Sequence, residues 1–243
     1  MSIIYINPYQ FAAASPTDPD FANVSLLLHG DGTNGSTTIV DSSPSPKTVT
    51  AFGNAQISTA QSKFGGASIA FDGNGDYLSA GSNSSFAFET GDFTIESWLY
   101  RPSSNQQDFS GIVQTVSSLG APASTLNWQF GFGGSIFSSA NKLTFFIGVA
   151  SDFTLESPNT LPTQAWVHVA VTRQGNLVRL FEAGQIVDSG TTTFNLSESA
   201  LWVGVNRGGN SLFNGYIDDL RITKGVARYT SNFTPPTAPF PDA

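Results

Sequence analysis

The sequence predicts an all-β protein, a two-sheet antiparallel β-sandwich with very little helix. Charged residues make up only 12% of the 243 residues, whereas hydrophobic residues make up 40% and the chain contains 24 glycines. Alternating apolar side chains recur in short runs separated by glycine- and asparagine-rich turns, which is typical of strands joined by tight turns. No window of useful length has the apolar spacing of a helix, and residues 224–229 are the best candidate for a single helical turn.

Several individual strands are well defined by their pattern. Residues 93–100 carry large apolar side chains on both faces, which predicts a central strand covered on both sides. Residues 143–149 are apolar throughout, as in a core strand. Residues 166–173, 177–182 and 186–189 are separated by short turns and predict an antiparallel meander.

The last predicted strand, residues 213–223, contains two adjacent carboxylates, Asp218 and Asp219. In a regular strand they point to opposite faces, so at least one faces the side that is buried. A buried carboxylate needs a partner, which could be Arg221, a backbone N–H or a hard cation.

We predict one domain over residues 21–230, preceded by an N-terminal arm (residues 1–20) and followed by a proline-rich extended tail (residues 231–243). The apolar segment within the arm is too short to form its own core. It lies either on its own domain or on another subunit or protein.

Composition narrows the partners. The formal charge of −8 argues against nucleic acid as a partner. No apolar run reaches the roughly 20 residues that span a bilayer, so membrane insertion is not expected. The N-terminus has no basic flank, so we expect no signal peptide. Without cysteine, stability comes from the core, ions or oligomerisation, and we expect a homo-oligomer.

Five segments in order resemble the laminin-G-like members of the concanavalin A-like lectin/glucanase superfamily, of the pentraxin-like jelly-roll type. They are LLLHGDG with VDSSP downstream, KFGGASIAFDGNGDYLSAG, GDFTIESWLY, WVHVAVTRQGNLVRLFEAGQIV and FNGYIDDLRITKGVARYT. The resemblance covers residues 24–229. It implies a concanavalin A-like jelly roll of two packed sheets, one of them concave, with carbohydrate or protein bound at that face or its rim. The last segment also resembles domains of phage tail and virion proteins.

The superfamily includes glucanases, which use paired acids on one strand. Here that strand offers only Glu96, while Asp92 lies at its start without an acid partner of the right parity, so we predict no enzymatic activity. His29 and His168 accompany no nucleophile motif, and we interpret both as structural.

The resemblance also implies a structural Ca²⁺, because Asp31, Asp41 and Asp218 occupy positions that help bind calcium in similar domains. The alternative is a salt bridge from Asp218 or Asp219 to Arg221, with Asp31 as a turn residue. Residues 72–76 alternate oxygen ligands but lack the terminal Glu of a calcium loop, so we interpret them as a turn.

Candidate ligand-binding residues are aromatic side chains that can stack on sugars and amides that can bind hydroxyl groups. They are Tyr100, Trp128, Trp202, Asn206 and Asn210.

Taken with these resemblances, the expected role is a non-enzymatic structural module of a phage virion, in the tail or a capsid appendage. The arm binds other virion proteins and the sandwich faces solvent, where it can serve adhesion or host glycan recognition. The alternatives are a bacterial extracellular carbohydrate-binding domain at the cell surface and a degenerate glycoside hydrolase.

Overall fold

The computed structural model describes residues 17–104, 106–122, 124, 126–133, 141–148 and 152–243. Residues 1–16 of the predicted arm lie outside the described residues. The strands, in chain order, are β1 (Val24–Leu28), β2 (Thr50–Phe52), β3 (Gln56–Ser58), β4 (Ser68–Asp72), β5 (Tyr77–Ser82), β6 (Phe93–Tyr100), β7 (Gly111–Thr115), β8 (Trp128–Phe132), β9 (Lys142–Ile147), β10 (Phe153–Thr160), β11 (Trp166–Gln174), β12 (Leu177–Glu182), β13 (Gln185–Thr191), β14 (Ala200–Val203) and β15 (Asn214–Lys224).

These strands form two antiparallel sheets, as predicted. Within the described residues, the larger sheet has eight strands in the order β13-β12-β11-β6-β15-β4-β3, with β1 also paired to β15. The smaller sheet has seven, in the order β10-β9-β8-β7-β14-β5-β2. Alternate side chains of the two sheets meet in one apolar core, to which stacked rings such as Phe88, Phe93 and Trp128 contribute.

The central position of β6 is confirmed, because β6 pairs with both β11 and β15 and its residues Phe93 to Leu99 are buried. The antiparallel meander of β11, β12 and β13 is also confirmed. Strand β10 was not predicted, since the sequence Ser157-Pro158-Asn159 within it lacks apolar alternation.

One local prediction of secondary structure was wrong. Residues 224–229 form no helical turn; instead the Thr94 hydroxyl donates to the Val226 carbonyl (2.9 Å) and that of Thr172 to the Tyr229 carbonyl (2.9 Å). The two described 3-10 turns are Phe21–Asn23 and Ser84–Phe86. The turn between β2 and β3 connects the two sheets, since β2 pairs with β5 and β3 pairs with β4 in the other sheet.

Strand β15 is irregular at its two carboxylates. On one side it pairs with β6 along its length, and on the other it pairs with β4 up to Ile217 and with β1 from Leu220. At this change of partner the register with β6 shifts between Asp218 and Arg221, and Asp219 takes a φ of 49°. A bulge therefore replaces the regular alternation that the sequence suggested.

The C-terminal tail packs on the outer face of the larger sheet. The Phe233 N–H donates to the Gly184 carbonyl (2.8 Å), and the Phe240 N–H donates to Asp219 Oδ2 (2.9 Å). A Cβ at Gly184 would lie 2.1 Å from the Phe233 carbonyl oxygen, so this close approach requires glycine. The ring of Phe233 stacks on that of Tyr229 (3.6 Å between centroids).

A buried polar cluster, which we call the tail cluster, lies beneath this segment and comprises Asp18, Glu96, Arg221, Arg228 and Tyr229. Two guanidinium nitrogens of Arg221 donate to Glu96 Oε1 (2.9 and 2.8 Å) and a third donates to Asp18 Oδ2 (3.0 Å). Arg228 donates to both Asp18 oxygens (2.9 and 2.8 Å), and the Tyr229 hydroxyl donates to Glu96 Oε2 (2.7 Å). Two carboxylates thus balance two guanidinium groups. The Arg221 salt bridge predicted for Asp218 or Asp219 is wrong, because the cross-strand partner of Arg221 is Glu96.

We expect Glu96→Gln to lower the free energy of unfolding by about 3–5 kcal/mol, because it leaves the buried Arg221 guanidinium without its main countercharge. Urea unfolding at pH 7 measures this change. Glu156→Gln is the matched control, since its partner Lys142 (3.3 Å) belongs to a partly exposed ion pair and the loss there is expected to be about 0–1 kcal/mol.

The dependence of stability on pH, measured at acid pH, gives a second test of the role of Glu96. Burial alone would raise the pKa of Glu96, but Arg221, His168 and the Tyr229 hydroxyl lower it to about 2. The stabilisation is therefore complete above about pH 4.5 and is lost as the pH falls towards 2. If Glu96→Gln and Glu156→Gln lowered the free energy of unfolding by the same amount, Glu96 would not be the main countercharge of Arg221.

Candidate functional site

The outer face of the larger sheet is divided between a covered part and an open part. The tail and Asp18 cover the side chains around Glu96 and Arg221, which are 0% and 5% exposed. His168 and Trp98, in the next row of cross-strand partners, are also buried. The row after that, at the end of β6, is only half-buried.

This open row consists of Trp166, Tyr100 and Tyr216, and we call it the aromatic row. The three residues are direct cross-strand partners on β11, β6 and β15, so their side chains lie on one face. The Tyr100 ring centroid lies 5.6 Å from that of Trp166 and 5.8 Å from that of Tyr216. The same line of partners continues through Ala70 on β4 to Gln56 on β3.

A pocket of about 430 Å³ lies where the aromatic row reaches β4 and β3, and we call it the row pocket. Its lining residues are Asn54, Gln56, Ala70, Phe71, Asp72, Asp76, Pro102, Asn214 and Tyr216. The side-chain amides of Gln56 and Asn214 have no hydrogen-bond partner among the described residues, which leaves donors and acceptors available to a ligand.

The acidic wall of the row pocket is built by the turn between β4 and β5. Asp76 Oδ1 accepts from the Asn54 N–H (2.5 Å) and Oδ2 from the Asp72 N–H (2.8 Å), while Asp72 Oδ1 accepts from the Asn74 N–H (2.7 Å). The turn interpretation of residues 72–76 is thus confirmed. Burial, together with the neighbouring Asp72, raises the pKa of Asp76.

The structure separates the residues predicted to bind ligand. Tyr100 is the centre of the aromatic row. Trp128 was a wrong candidate, because it is 0% exposed and its ring stacks on Phe88 (5.4 Å) in the core. Trp202 lies on the smaller sheet, where its ring is next to Tyr77 (6.0 Å) and its Nε1–H donates to the Val116 carbonyl (3.0 Å).

Asn206 and Asn210 hold their own loop together. Asn206 Oδ1 accepts from the N–H groups of Asn210 (3.1 Å) and Ser211 (3.0 Å), and the Asn206 Nδ2 donates to Asn210 Oδ1 (3.1 Å). Neither belongs to the aromatic row or the row pocket.

The predicted metal ligands are brought together only in part. Asp218 Oδ2 accepts from the N–H groups of Lys63 (2.7 Å) and Phe64 (3.1 Å), and burial with the nearby charges of Asp219 and Asp31 raises the pKa of Asp218 to about 7. Asp219 contacts His29 Nδ1 (2.5 Å), which agrees with a structural His29.

Asp41 belongs to a separate turn. It accepts from the N–H groups of Leu27 (3.0 Å), Ser43 (3.0 Å) and Lys47 (2.7 Å) and from the Ser43 hydroxyl (3.0 Å). In the part of the chain that the structure describes, no three His, Cys, Asp or Glu side chains are arranged to hold a metal ion. The three predicted ligands therefore do not form a ready-made site.

Sequence reasoning missed Trp166 and Tyr216, the two flanking rings of the aromatic row. A signal was present: each precedes a core residue, Val167 or Ile217, and so has the outward parity of its strand. Their adjacency to Tyr100 depends on strand register, which the sequence does not display.

The fold and the open aromatic row together define a double-sheet domain of the lectin-like class. The family described as the concanavalin A-like lectin/glucanases superfamily (Laminin_G_3) matches residues 72–228, more than half of the chain. The protein therefore belongs to this superfamily.

Solved structures show the same fold at low sequence identity. Domain 4 of AbnA, an extracellular arabinanase of Geobacillus stearothermophilus solved with arabinotriose, superimposes with a TM-score of 0.61 and 17% identity over 85% of this chain and 94% of that one. The binding domain of Paraclostridial mosquitocidal protein 1 superimposes with a TM-score of 0.61 and 17% identity, over 85% of this chain and 50% of that one. The binding domain of botulinum neurotoxin DC, in complex with SialylT, superimposes with a TM-score of 0.58 and 15% identity, over 85% of this chain and 49% of that one. The chain thus spans about half the length of the toxin domains.

No curated protein matches the chain by sequence. Among the described residues, there is no helix of the length and apolarity needed to cross a membrane.

Proposed function

We propose that this domain recognises glycans through the aromatic row and the row pocket and does not cleave them. The observation that carries the proposal is the line of three half-buried rings ending in a pocket with free amides. Sugar rings present apolar C–H faces that pack on aromatic side chains, and hydroxyl groups that pair with amides and carboxylates. Across strands spaced about 4.8 Å apart, the row and the pocket extend over about 20 Å, which suits an oligosaccharide.

The comparisons support a binding role. Domain 4 of the arabinanase was solved with arabinotriose, and the neurotoxin DC domain with SialylT. A related structure describes cell entry of botulinum neurotoxin type C as dependent on two ganglioside molecules. Shared fold alone does not carry a ligand across, so the proposal rests on the row itself.

The placement of the acids supports recognition without hydrolysis. Glu96, the acid nearest in position to those of the glucanases, is fully buried and its two oxygens are engaged by Arg221 and Tyr229. Its pKa of about 2 keeps it ionised, which is the wrong state for a general acid.

We expect Tyr216→Ala to weaken glycan binding by about tenfold or more, because it removes the ring shared by the row and the pocket. A glycan array that includes arabino- and sialyl-oligosaccharides identifies the ligand, and calorimetry on that ligand measures the loss. Product analysis in the same samples detects any cleavage.

Tyr216→Phe keeps the ring and should retain most of the affinity, whereas Trp202→Ala removes an aromatic side chain from the other sheet and should leave it unchanged. If Trp202→Ala abolished binding while Tyr216→Ala did not, the site would lie on the smaller sheet. Release of sugar by the wild type would favour the hydrolase alternative.

We further propose that the domain is a structural module of a phage virion, exposed on the tail or a capsid appendage, with the N-terminal arm (residues 1–20) bound to other virion proteins. The support is the resemblance of the segment ending in Tyr229-Thr230 to virion domains. A bacterial extracellular carbohydrate-binding domain remains the second candidate, because the relative solved with arabinotriose belongs to an extracellular enzyme.

Deletion of residues 1–16 is expected to leave the melting temperature nearly unchanged while removing the chain from purified particles. Deletion of residues 1–20 should also destabilise the domain, by about 2–5 kcal/mol, because the loss of Asp18 leaves Arg228 without a countercharge and removes one of the two carboxylates that pair with Arg221. Thermal unfolding and co-purification with particles measure the two effects. If the shorter deletion unfolds the domain, residues 1–16 belong to its core; if it still enters particles, they are not the anchor.

Calcium is retained as a proposal on narrower grounds. Asp31 is close enough to Asp218 for its charge to raise the pKa of Asp218. Asp41, in contrast, already accepts four hydrogen bonds. Backbone carbonyls would have to complete the shell.

If calcium binds there, millimolar Ca²⁺ will raise the melting temperature above that in EDTA, as expected for a ligand of the native state. Asp218→Asn should abolish the difference, and Asp41→Asn should not. Identical melting in Ca²⁺ and EDTA would rule the site out.

A further inference from the structure

A second pocket, of about 450 Å³, lies at the opposite end of β15 from the row pocket. It is bordered by the start of β1, the loop around residue 45, the 3-10 turn Ser84–Phe86 and the end of β15. The row pocket includes Asn214 and this one includes Lys224, which places them about 33 Å apart along the strand. The two pockets share no residue.

The second pocket has a positive character that is unusual for this chain. Two of its lining residues are Lys47 and Lys224, and its described lining contains no carboxylate. The whole chain has only 10 basic residues against 18 acidic ones. A convergence of two lysines in an acidic protein is therefore a local reversal of the net field.

Neither lysine is neutralised by an ion pair with a described carboxylate. The Lys224 ammonium donates to the Ser84 carbonyl (2.8 Å), and that of Lys47 lies over the Phe86 ring (5.8 Å). Burial lowers the pKa of Lys47 although the nearby Asp41 opposes this shift. The four hydrogen bonds already made by Asp41 leave it little capacity to pair with Lys47.

The pocket wall also holds an unused polar atom. The Ser85 hydroxyl oxygen is buried and has no hydrogen-bond partner, although Ser85 lines the pocket. Buried polar groups are normally paired, so an unpaired hydroxyl on a residue that lines the same pocket as Lys47 and Lys224 indicates a missing partner. The amide side chains of Asn23 and Asn83 lie in the same wall.

We propose that this pocket binds a compact oxyanion, a carboxylate or a phosphate, between Lys47 and Lys224 with the Ser85 hydroxyl as a further donor. Its volume is in the range of small-ligand sites, so the anionic group can belong to a monosaccharide as well as to free phosphate. The site is independent of glycan binding at the aromatic row.

The test uses the full chain at low salt, titrated with glucuronate, N-acetylneuraminate and inorganic phosphate, with glucose as the uncharged probe. Saturable binding of at least one anion and none of glucose is expected. Lys47→Gln and Lys224→Gln should each weaken binding about tenfold, because each removes a charge-assisted contact. Higher salt should weaken it as well.

Lys142→Gln is the matched control, because it removes the same charge from a distant surface ion pair with Glu156. Tyr216→Ala should also leave anion binding unchanged, which separates this site from the aromatic row. Melting curves establish that the lysine variants are folded.

Binding of the sugar acids alone would assign the pocket to a carboxylated saccharide, and binding of phosphate as well would assign it to oxyanions in general; both outcomes support the site. Absence of saturable binding by all three anions overturns it. So does an equal loss in Lys142→Gln, which would indicate an effect of net charge only.

Discussion

The ion pairs of Asp18 and Glu96 with Arg221 and Arg228 determine which part of the larger sheet a ligand can reach. Each charge is buried, and each would be costly without its partner, so the segments that carry them must stay in place. Glu96 and Arg221 come from the two central strands, whereas Asp18 and Arg228 come from the chain on either side of the sandwich. The cluster therefore fastens both flanking segments over the same face. Along β6, within the described residues, the aromatic row lies beyond the tail and stays open.

The bulge in β15 serves the same arrangement. The strand must pair with β4 through its first half and β1 through its second, and the carboxylates of Asp218 and Asp219 lie at the change of partner. Asp218 binds the N–H groups of Lys63 and Phe64, and Asp219 binds His29 and the Phe240 N–H. Through these contacts the two acids connect the loop at Lys63 and Phe64, the end of β1 and the C-terminal tail to β15. Adjacent in sequence, Asp218 and Asp219 thus hold different neighbouring segments in place.

The fold was predictable because its signals are local. Residues 93–100 have apolar side chains on both faces, and only a central strand buries both. The site was less predictable because it depends on register and coverage. Trp128 and Trp166 both occur in alternating strands, yet one ring is in the core and the other lies on the open face. The bulge at Asp218 and Asp219 was hidden for a similar reason: one extra residue changes the facing of side chains without altering composition.

The use of the basic residues explains why so acidic a chain can still present a positive pocket. Most arginines are consumed inside the protein, either in the tail cluster or on backbone carbonyls, as for Arg173 with Thr192 and Phe194. The charges of Arg221 and Arg228 are offset by Asp18 and Glu96, and the chain as a whole carries a formal charge of −8. Lys63 also has no carboxylate partner in the described structure and lies over the Trp98 ring (3.9 Å), so the second pocket is distinct because two lysines, Lys47 and Lys224, line it together. The row pocket at the other end contains Asp72 and Asp76 instead. Strand β15 thus separates a pocket suited to neutral, hydroxyl-rich groups from a pocket suited to anions. A ligand that carries both kinds of group would have to match the separation of the two pockets as well as their chemistry.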